Sequence, residues 1–504
     1  MKGVVAAGHP LTARAGADVL RSGGNAVDAA VAAVLTSFVA ESPLTGPGAG
    51  GFMLVHTTGG EDVLLDFFVA APGKGLNKEP ADLTPIDVAF AEDAVQRFNV
   101  GPSSCGAYGT TRGLAHALER FGSLSLADVT AAPAKLAREG VEVVPMQAFL
   151  FSILEPILRS TPEADAIYAP DGELLGEGDR IRLPELGDLL ERLGAEGPDF
   201  LYSGDVAAAV SNWVLERGGL VSPEDLASYE VAEREPVSVR YQGRDVLTNP
   251  PPSSGGILIA DALEILERLE RPHDAFVIAE VIASTNRARD EEFLNGLATD
   301  GYLEQFLAKD ALDSVATEVR SRLGNTTHLA VMDSDGACAS VTCSNGSCSG
   351  VVVPGTGVHL NNMLGEQDLN PHGYHRYEPG VRVPSMMSPT VVLRDGAAEL
   401  ALGSAGSNRI RSAIVQTILA SVDLGLPAEE AVRRPRLHVE DQVVEAEPGV
   451  DPDALDRLEA SGWTVRRWSE QNLFFGGVQA VARADGRLTG GGDPRRGGAA
   501  ALAD

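Results

Sequence analysis

The chain has 504 residues, of which 44% are hydrophobic and 22% charged, and its formal net charge is −31. That balance belongs to a folded, soluble protein, and the acidic excess argues against nucleic acid and anionic membranes as partners. Four cysteines, Cys105, Cys338, Cys343 and Cys348, are too few for a disulfide framework and fit a reducing, cytoplasmic setting.

The first ten residues are too short and too soon interrupted for a secretory signal. The longest apolar stretch, residues 29–40, is shorter than a membrane span. Residues 12–21 have helical composition, and Gly23-Gly24 stops them. Asn25 then caps a second helix, Ala26–Ala40. The loop 43–51 leads into a strand at 52–55, and a second strand is expected at 63–68 after the turn at Gly59-Gly60. From about 110 to 300 the pattern is mainly amphipathic helix. Between 326 and 353 it alternates like strands, with 328–332 and 337–343 joined by a turn at 333–336. A hairpin at 391–393 and 399–402 turns at Asp395-Gly396, a helix covers 409–424, and a last strand pair begins at 477–483. Strands and helices in both halves predict an α/β layered fold around one shared core.

The chemistry is concentrated at Asn325-Thr326-Thr327-His328. An N-terminal threonine carries a nucleophilic hydroxyl together with its own α-amine, a base whose pKa lies near neutrality. An internal threonine reaches that state when the bond before it is cut, and Thr326 is expected at a strand start. Alone, such a segment is more often structural. Its surroundings change the reading. Residues 326–336, with Ser340-Val341-Thr342 after them, resemble the start of the small subunit in the gamma-glutamyltransferase family. Further matching pieces follow in that family's order: Leu360-Asn361-Asn362, residues 384–390, residues 403–409, and Gly492-Asp493-Pro494-Arg495. Upstream, residues 24–30, 50–54 and 251–256 and the Asp66/Pro72 segment look like its large subunit.

The resemblance implies an N-terminal-nucleophile hydrolase, a four-layer αββα sandwich made as one proenzyme. Self-cleavage between Asn325 and Thr326 would leave a large-subunit segment, 1–325, and a small-subunit segment, 326–504, which stay associated. Thr326 would attack an amide, usually a γ-glutamyl one, and pass the acyl group to water or an amine. By position, the N–H groups of Gly406 and Ser407 match the oxyanion hole, where each donor is worth about 3–4 kcal/mol in other hydrolases. The family has glycine where Ser407 stands. Thr342 and Ser344 match polar positions near the nucleophile.

The substrate pocket departs from the family. Its carboxylate-binding arginine aligns with Phe68, which cannot form a bidentate pair with a carboxylate. The second serine after Pro384 is Met386, leaving Ser385. On the amine side the family's asparagine, glutamine and aspartate align with Gly346, Met363 and Glu366. A charged amino-acid head would be poorly paired here and expensively desolvated, which favours an acylase for a different amide. A catalytically silent homologue acting as a binding protein is the reading from another class. The connection from Asn362 to Ser385 is also shorter than in members with a lid loop, implying an open site.

Other motifs have plainer readings. The loop 46–51 lacks the Gly-Lys-Ser/Thr ending of a phosphate loop and runs into a strand. The five-residue cysteine spacing alternates faces in extended chain, which does not suit a metal cage. Gly346-Ser347-Cys348-Ser349-Gly350 lacks the strand-to-helix context of a nucleophile elbow. His328, His359, His372 and His375 read as packing or surface residues. No metal or cofactor is expected. The expected partner is a small-molecule amide, and homodimerisation is left open.

Overall fold

Side-chain alternation along the strand Thr327–Asp333 divides the interior in two. Leu329 and Val331 pack into one apolar cluster with the helix Ala26–Ala40, while Ala330 and Met332 face a second cluster shared with another sheet. The computed structural model describes residues 1–91, 94–269, 272–297, 299, 301–308 and 326–504. Asn325, the residue ahead of the expected nucleophile, lies outside the described residues.

That strand is the third of a seven-stranded sheet whose order is Ala499–Ala503, Gly3–Ala7, Thr327–Asp333, Cys338–Ser344, Gly50–His56, Asp62–Phe67 and Ala232–Arg234. Every neighbouring pair in it is antiparallel. The second sheet has six strands, ordered Arg487–Gly492, Gly477–Ala484, Ala397–Ala405, Thr390–Arg394, Arg244–Thr248 and Val237–Tyr241, again all antiparallel. Between the sheets, Ser340 Oγ donates to the carbonyl of Leu402 at 2.8 Å. The His328 ring lies against Gly403, where a Cβ would sit 2.3 Å from the ring.

Helices cover the outer faces. Ala26–Ala40 has every residue buried, so it is apolar on all sides and not on one stripe. Asn25 and Asp28 form its capping box. Ser254–Glu267 and Arg409–Val422 contribute their apolar residues to the cluster of the six-stranded sheet. Among the described residues no helix is long and apolar enough to cross a membrane.

The expected elements mostly fall within two residues of those observed. Asp395 and Gly396 both take positive φ, 53° and 78°, as a tight hairpin turn requires. The stretch from 110 to 300 is mainly helical, as expected, but it also holds five short strands: Val141–Glu142, Arg180–Ile181, Ala232–Arg234, Val237–Tyr241 and Arg244–Thr248. Val237–Tyr241 alternates buried and exposed along its length, a period of two that the helical expectation passed over. Its hairpin turns at Gln242 and Gly243, both with positive φ.

A buried ion network fastens the end of the chain. Arg495 donates to Glu447 at 2.7 Å and to Asp493 at 3.1 Å, and Arg436 pairs with the other Asp493 oxygen at 2.7 Å. That oxygen also accepts the N–H of Val478, tying the segment to the six-stranded sheet. Asp493→Ala would leave the buried Arg436 guanidinium without its carboxylate and Arg495 with Glu447 alone. The expected cost is about 3–5 kcal/mol, read as a fall in urea stability. A loss below about 1 kcal/mol would contradict this role for the network.

Candidate active site

Thr326 stands immediately before the strand Thr327–Asp333 and is 7% exposed. The strand itself begins one residue later than expected. Thr326 Oγ1 donates to Ser344 Oγ at 3.4 Å, and the same serine oxygen accepts the N–H of Gly346 at 2.8 Å. The register that pairs Thr327 with Cys343 brings Thr326 and Ser344 to the same end of the hairpin. Thr327 Oγ1 donates to Glu41 Oε2, and Thr12 Oγ1 donates to Glu41 Oε1 at 2.7 Å.

A narrow cleft, with room of about 30 Å³, opens at Thr326. Phe68, Ser344, Glu366, Ser385 and Ser407, all singled out from the sequence, line it with Thr326. Met363, Leu369, Met386 and Met387 make much of its remaining wall apolar. Thr342 and Gly406 are not part of that lining. Thr342 turns between the sheets, where its hydroxyl bonds His328 Nδ1 at 2.8 Å. Burial pushes the His328 pKa down to about 3, so the ring is neutral.

Each wall residue is fixed from behind. Phe68 is fully buried, with its ring stacked on Phe52 at 5.2 Å. Its carbonyl accepts from Tyr229 at 2.6 Å and from Arg382 at 2.7 Å, and its N–H donates to Asp66 at 3.0 Å. Glu366 accepts from the N–H and hydroxyl of Ser347 at 2.8 and 2.9 Å. Burial, and then the nearby Asp368, raise its pKa. Gly346 has φ 71°, and a Cβ there would lie 2.1 Å from Asn362 Oδ1, so a side chain at this position has no room. Ser385 Oγ accepts the N–H of Met387 at 3.1 Å. Asn361 holds the glycine-rich loop, donating to the carbonyls of Gly48 and Gly106 at 2.8 and 3.1 Å.

The turn after the strand Ala397–Ala405 carries Gly406 at φ 124° and Ser407 at φ 52° and leads into the helix Arg409–Val422. Among the described residues neither of these two backbone N–H groups has an acceptor. They lie at the positive end of a 14-residue helix, which favours negative charge. A left-handed backbone is uncommon for serine. Here the Ser407 hydroxyl donates to Asp368 Oδ2 at 2.6 Å, which holds the turn. Asp368 also lines the cleft and was missed from the sequence; its signal was its place two residues after Glu366. Cys348 is fully buried, and desolvation lifts its pKa to about 12, which leaves it a thiol.

A family model described as gamma-glutamyltranspeptidase matches residues 12–503. The chain is 32% identical to the acylase ACY 1 proenzyme of Pseudomonas sp. (strain SE83), over 97% of this chain and 91% of that protein. It is also 32% identical to the glutathione hydrolase proenzyme of Escherichia coli (strain K12), over 98% of this chain and 90% of that protein. Its structure matches the cephalosporin acylase from Bacillus halodurans with a TM-score of 0.83 and 25% identity, covering 99% and 96% of the two chains. The α/β arrangement of sheets and helices is common to both structures.

Glu41 is the titratable group bonded next to the nucleophile candidate. Burial raises its pKa from 4.5 to about 7, against the opposing hydrogen bonds of Thr327 and Thr12. The folded chain therefore holds this proton between about pH 4.5 and 7 while the unfolded chain releases it. Its contribution to stability is largest below that window and is lost as pH rises through about 7. Relative to Glu41→Gln, the wild type should lose roughly 3 kcal/mol between pH 5 and 8. Parallel urea titrations check this, and a difference that does not change with pH would refute the assignment.

Proposed function

The chain belongs to the gamma-glutamyltranspeptidase family, with glutathione hydrolase and acylase proenzymes among its relatives, and we propose that it is a self-processing amidohydrolase using Thr326. The observation that carries this reading is the place of Thr326 at the head of a central strand. It stands beside Ser344, with the unengaged N–H groups of the Gly406-Ser407 turn close in the fold.

Maturation begins when Thr326 Oγ attacks the carbonyl of Asn325. The acyl group shifts from nitrogen to oxygen, and water opens the ester. This divides the chain into 1–325 and 326–504. Both segments contribute strands to each sheet, which favours their staying together as a four-layer αββα sandwich. The freed α-amine then takes the proton of the Thr326 hydroxyl as it attacks the substrate amide. The Gly406 and Ser407 N–H groups receive the developing oxyanion. The protonated amine leaves, and water or a second amine releases the acyl group from the Thr326 ester.

For substrate, the apolar wall made with Phe68 and Met363 supports an acyl group other than γ-glutamyl. Glu366 and Ser385 are the two groups that speak for a γ-glutamyl head, and Glu366 is already engaged by Ser347.

Intact mass under denaturing conditions should give two fragments that meet between Asn325 and Thr326. Thr326→Ala should remain one inactive chain, while Thr326→Ser should still cleave. A wild-type chain that stays whole over days would point instead to a silent homologue. Among chromogenic anilides, neutral acyl groups should be turned over in preference to γ-glutamyl. Phe68→Arg should shift the kcat/KM ratio towards the γ-glutamyl anilide by about tenfold, at some cost in stability from burying the cation. An unchanged ratio would mean that Phe68 does not face the α-carboxylate.

A further inference from the structure

Thr326 also borders a second cavity, with room of about 40 Å³. Leu44, Val144, Met146, Leu150 and Leu473 give it mainly apolar walls. Its charged and titratable lining groups are Arg496, His9, Glu41 and His328.

Arg496 has no carboxylate within ion-pair distance among the described residues. Its Nε is buried without a hydrogen-bond partner, and Nη2 makes one long contact, 3.4 Å, to the carbonyl of Leu473. The nearest acid acting on it is Asp493, which is already shared by Arg436 and Arg495, and Arg409 adds repulsion. Burial lowers its pKa to about 10, which still leaves it charged at neutral pH. The stem fits because residue 477 is glycine: a Cβ there would lie 2.4 Å from Arg496 Cδ. The guanidinium ends beside the proposed oxyanion turn, with Nη2 3.5 Å from where a Cβ of Gly406 would be.

His9 supplies a second unused donor. Its Nδ1 accepts the N–H of Leu11 at 3.1 Å, so the proton of the neutral ring is on Nε2, which is buried without a partner. Burial lowers the His9 pKa to about 4 and keeps the ring neutral. Glu41 does not balance Arg496, since both of its oxygens are taken by threonine hydroxyls and burial favours its protonated form. His328 is neutral. The cavity therefore offers an unpaired cation and a spare N–H donor beside the nucleophile candidate.

We propose that this cavity binds a carboxylate carried by the substrate amide, with the Arg496 guanidinium as its cation and His9 as an additional donor. A planar carboxylate matches the guanidinium fork and supplies the acceptors that these buried groups lack. The inference rests on Thr326 being the nucleophile and narrows the substrate class to amides bearing an anionic group. That carboxylate sits either on the acyl chain or on the leaving amine.

Calorimetric titration of the purified full chain separates the two sources. Glutarate probes an acyl-side carboxylate and 5-amino-2-nitrobenzoate an amine-side one, with glutaramide and 4-nitroaniline as neutral counterparts. One of the two anions should bind saturably, and Arg496→Gln should weaken it by at least about tenfold while leaving the neutral compounds unchanged. Arg496→Lys should fall between. Should Arg496→Gln fold poorly, phenylglyoxal labelling of the wild type gives the same answer, because the bound anion should protect Arg496 in peptide maps. Failure of both anions to bind, equal binding to Arg496→Gln, or labelling of Arg496 unaffected by the anions would overturn the proposal. Binding needs no turnover, and intact mass of the same sample reports self-cleavage. An uncut chain that binds glutarate through Arg496 would therefore fail the Thr326 reading alone.

Discussion

Thr326 owes its setting to one geometric constraint, the central place of the strand that follows it. Thr327–Asp333 is hydrogen-bonded on one side to Gly3–Ala7 and on the other to Cys338–Ser344. A residue at the head of such a strand inherits the rigidity of both ladders. Its hydroxyl is then set against Ser344 by the register and needs no dedicated clamp. The same alternation sends His328 and Thr342 into the space between the sheets, where they bond each other. Thr342 thus supports the strand pair beneath the cleft and does not line it.

Around that strand, cost is concentrated in buried polar groups, and most are matched. Asp66 receives Arg234 at 2.8 Å and Arg382 at 3.2 Å, and so fixes the loop that presents Phe68. Arg436, Arg495, Glu447 and Asp493 balance one another at the base of the six-stranded sheet. Against this background the unmatched donors near Thr326 stand out. The N–H groups of Gly406 and Ser407 and the side chains of Arg496 and His9 are all donors, and all lie around Thr326. Desolvated donors without acceptors call for an explanation, and an acceptor brought by a ligand is one.

Much of the fold was legible because its signals are local. Asn25 and Asp28 announce a helix start three residues apart, and Asp395-Gly396 announces a hairpin by the backbone conformation that those residues tolerate. The strands Val237–Tyr241 and Arg244–Thr248 were passed over because they are five residues each within a long helical stretch. Arg244–Thr248 is held by pairing with Thr390–Arg394, far away in sequence, and Val237–Tyr241 joins the sheet through it. Asp368 escaped for a similar reason: its partner Ser407 lies 39 residues on, and nothing local marks the bond.

The sequence by itself determined the family, the order of the main elements, and the residue types able to carry acyl transfer, because these are written in short motifs and local periodicity. Which of those residues share one cleft, and that Thr326 borders two cavities, was decided by the packing of the two sheets. The charge state of the groups around it was decided there too. Glu41 is an ordinary carboxylate in the sequence and Arg496 an ordinary surface-type cation. Only burial, which depends on chain segments hundreds of residues apart, gives the one its raised pKa and leaves the other without a counterion among the described residues.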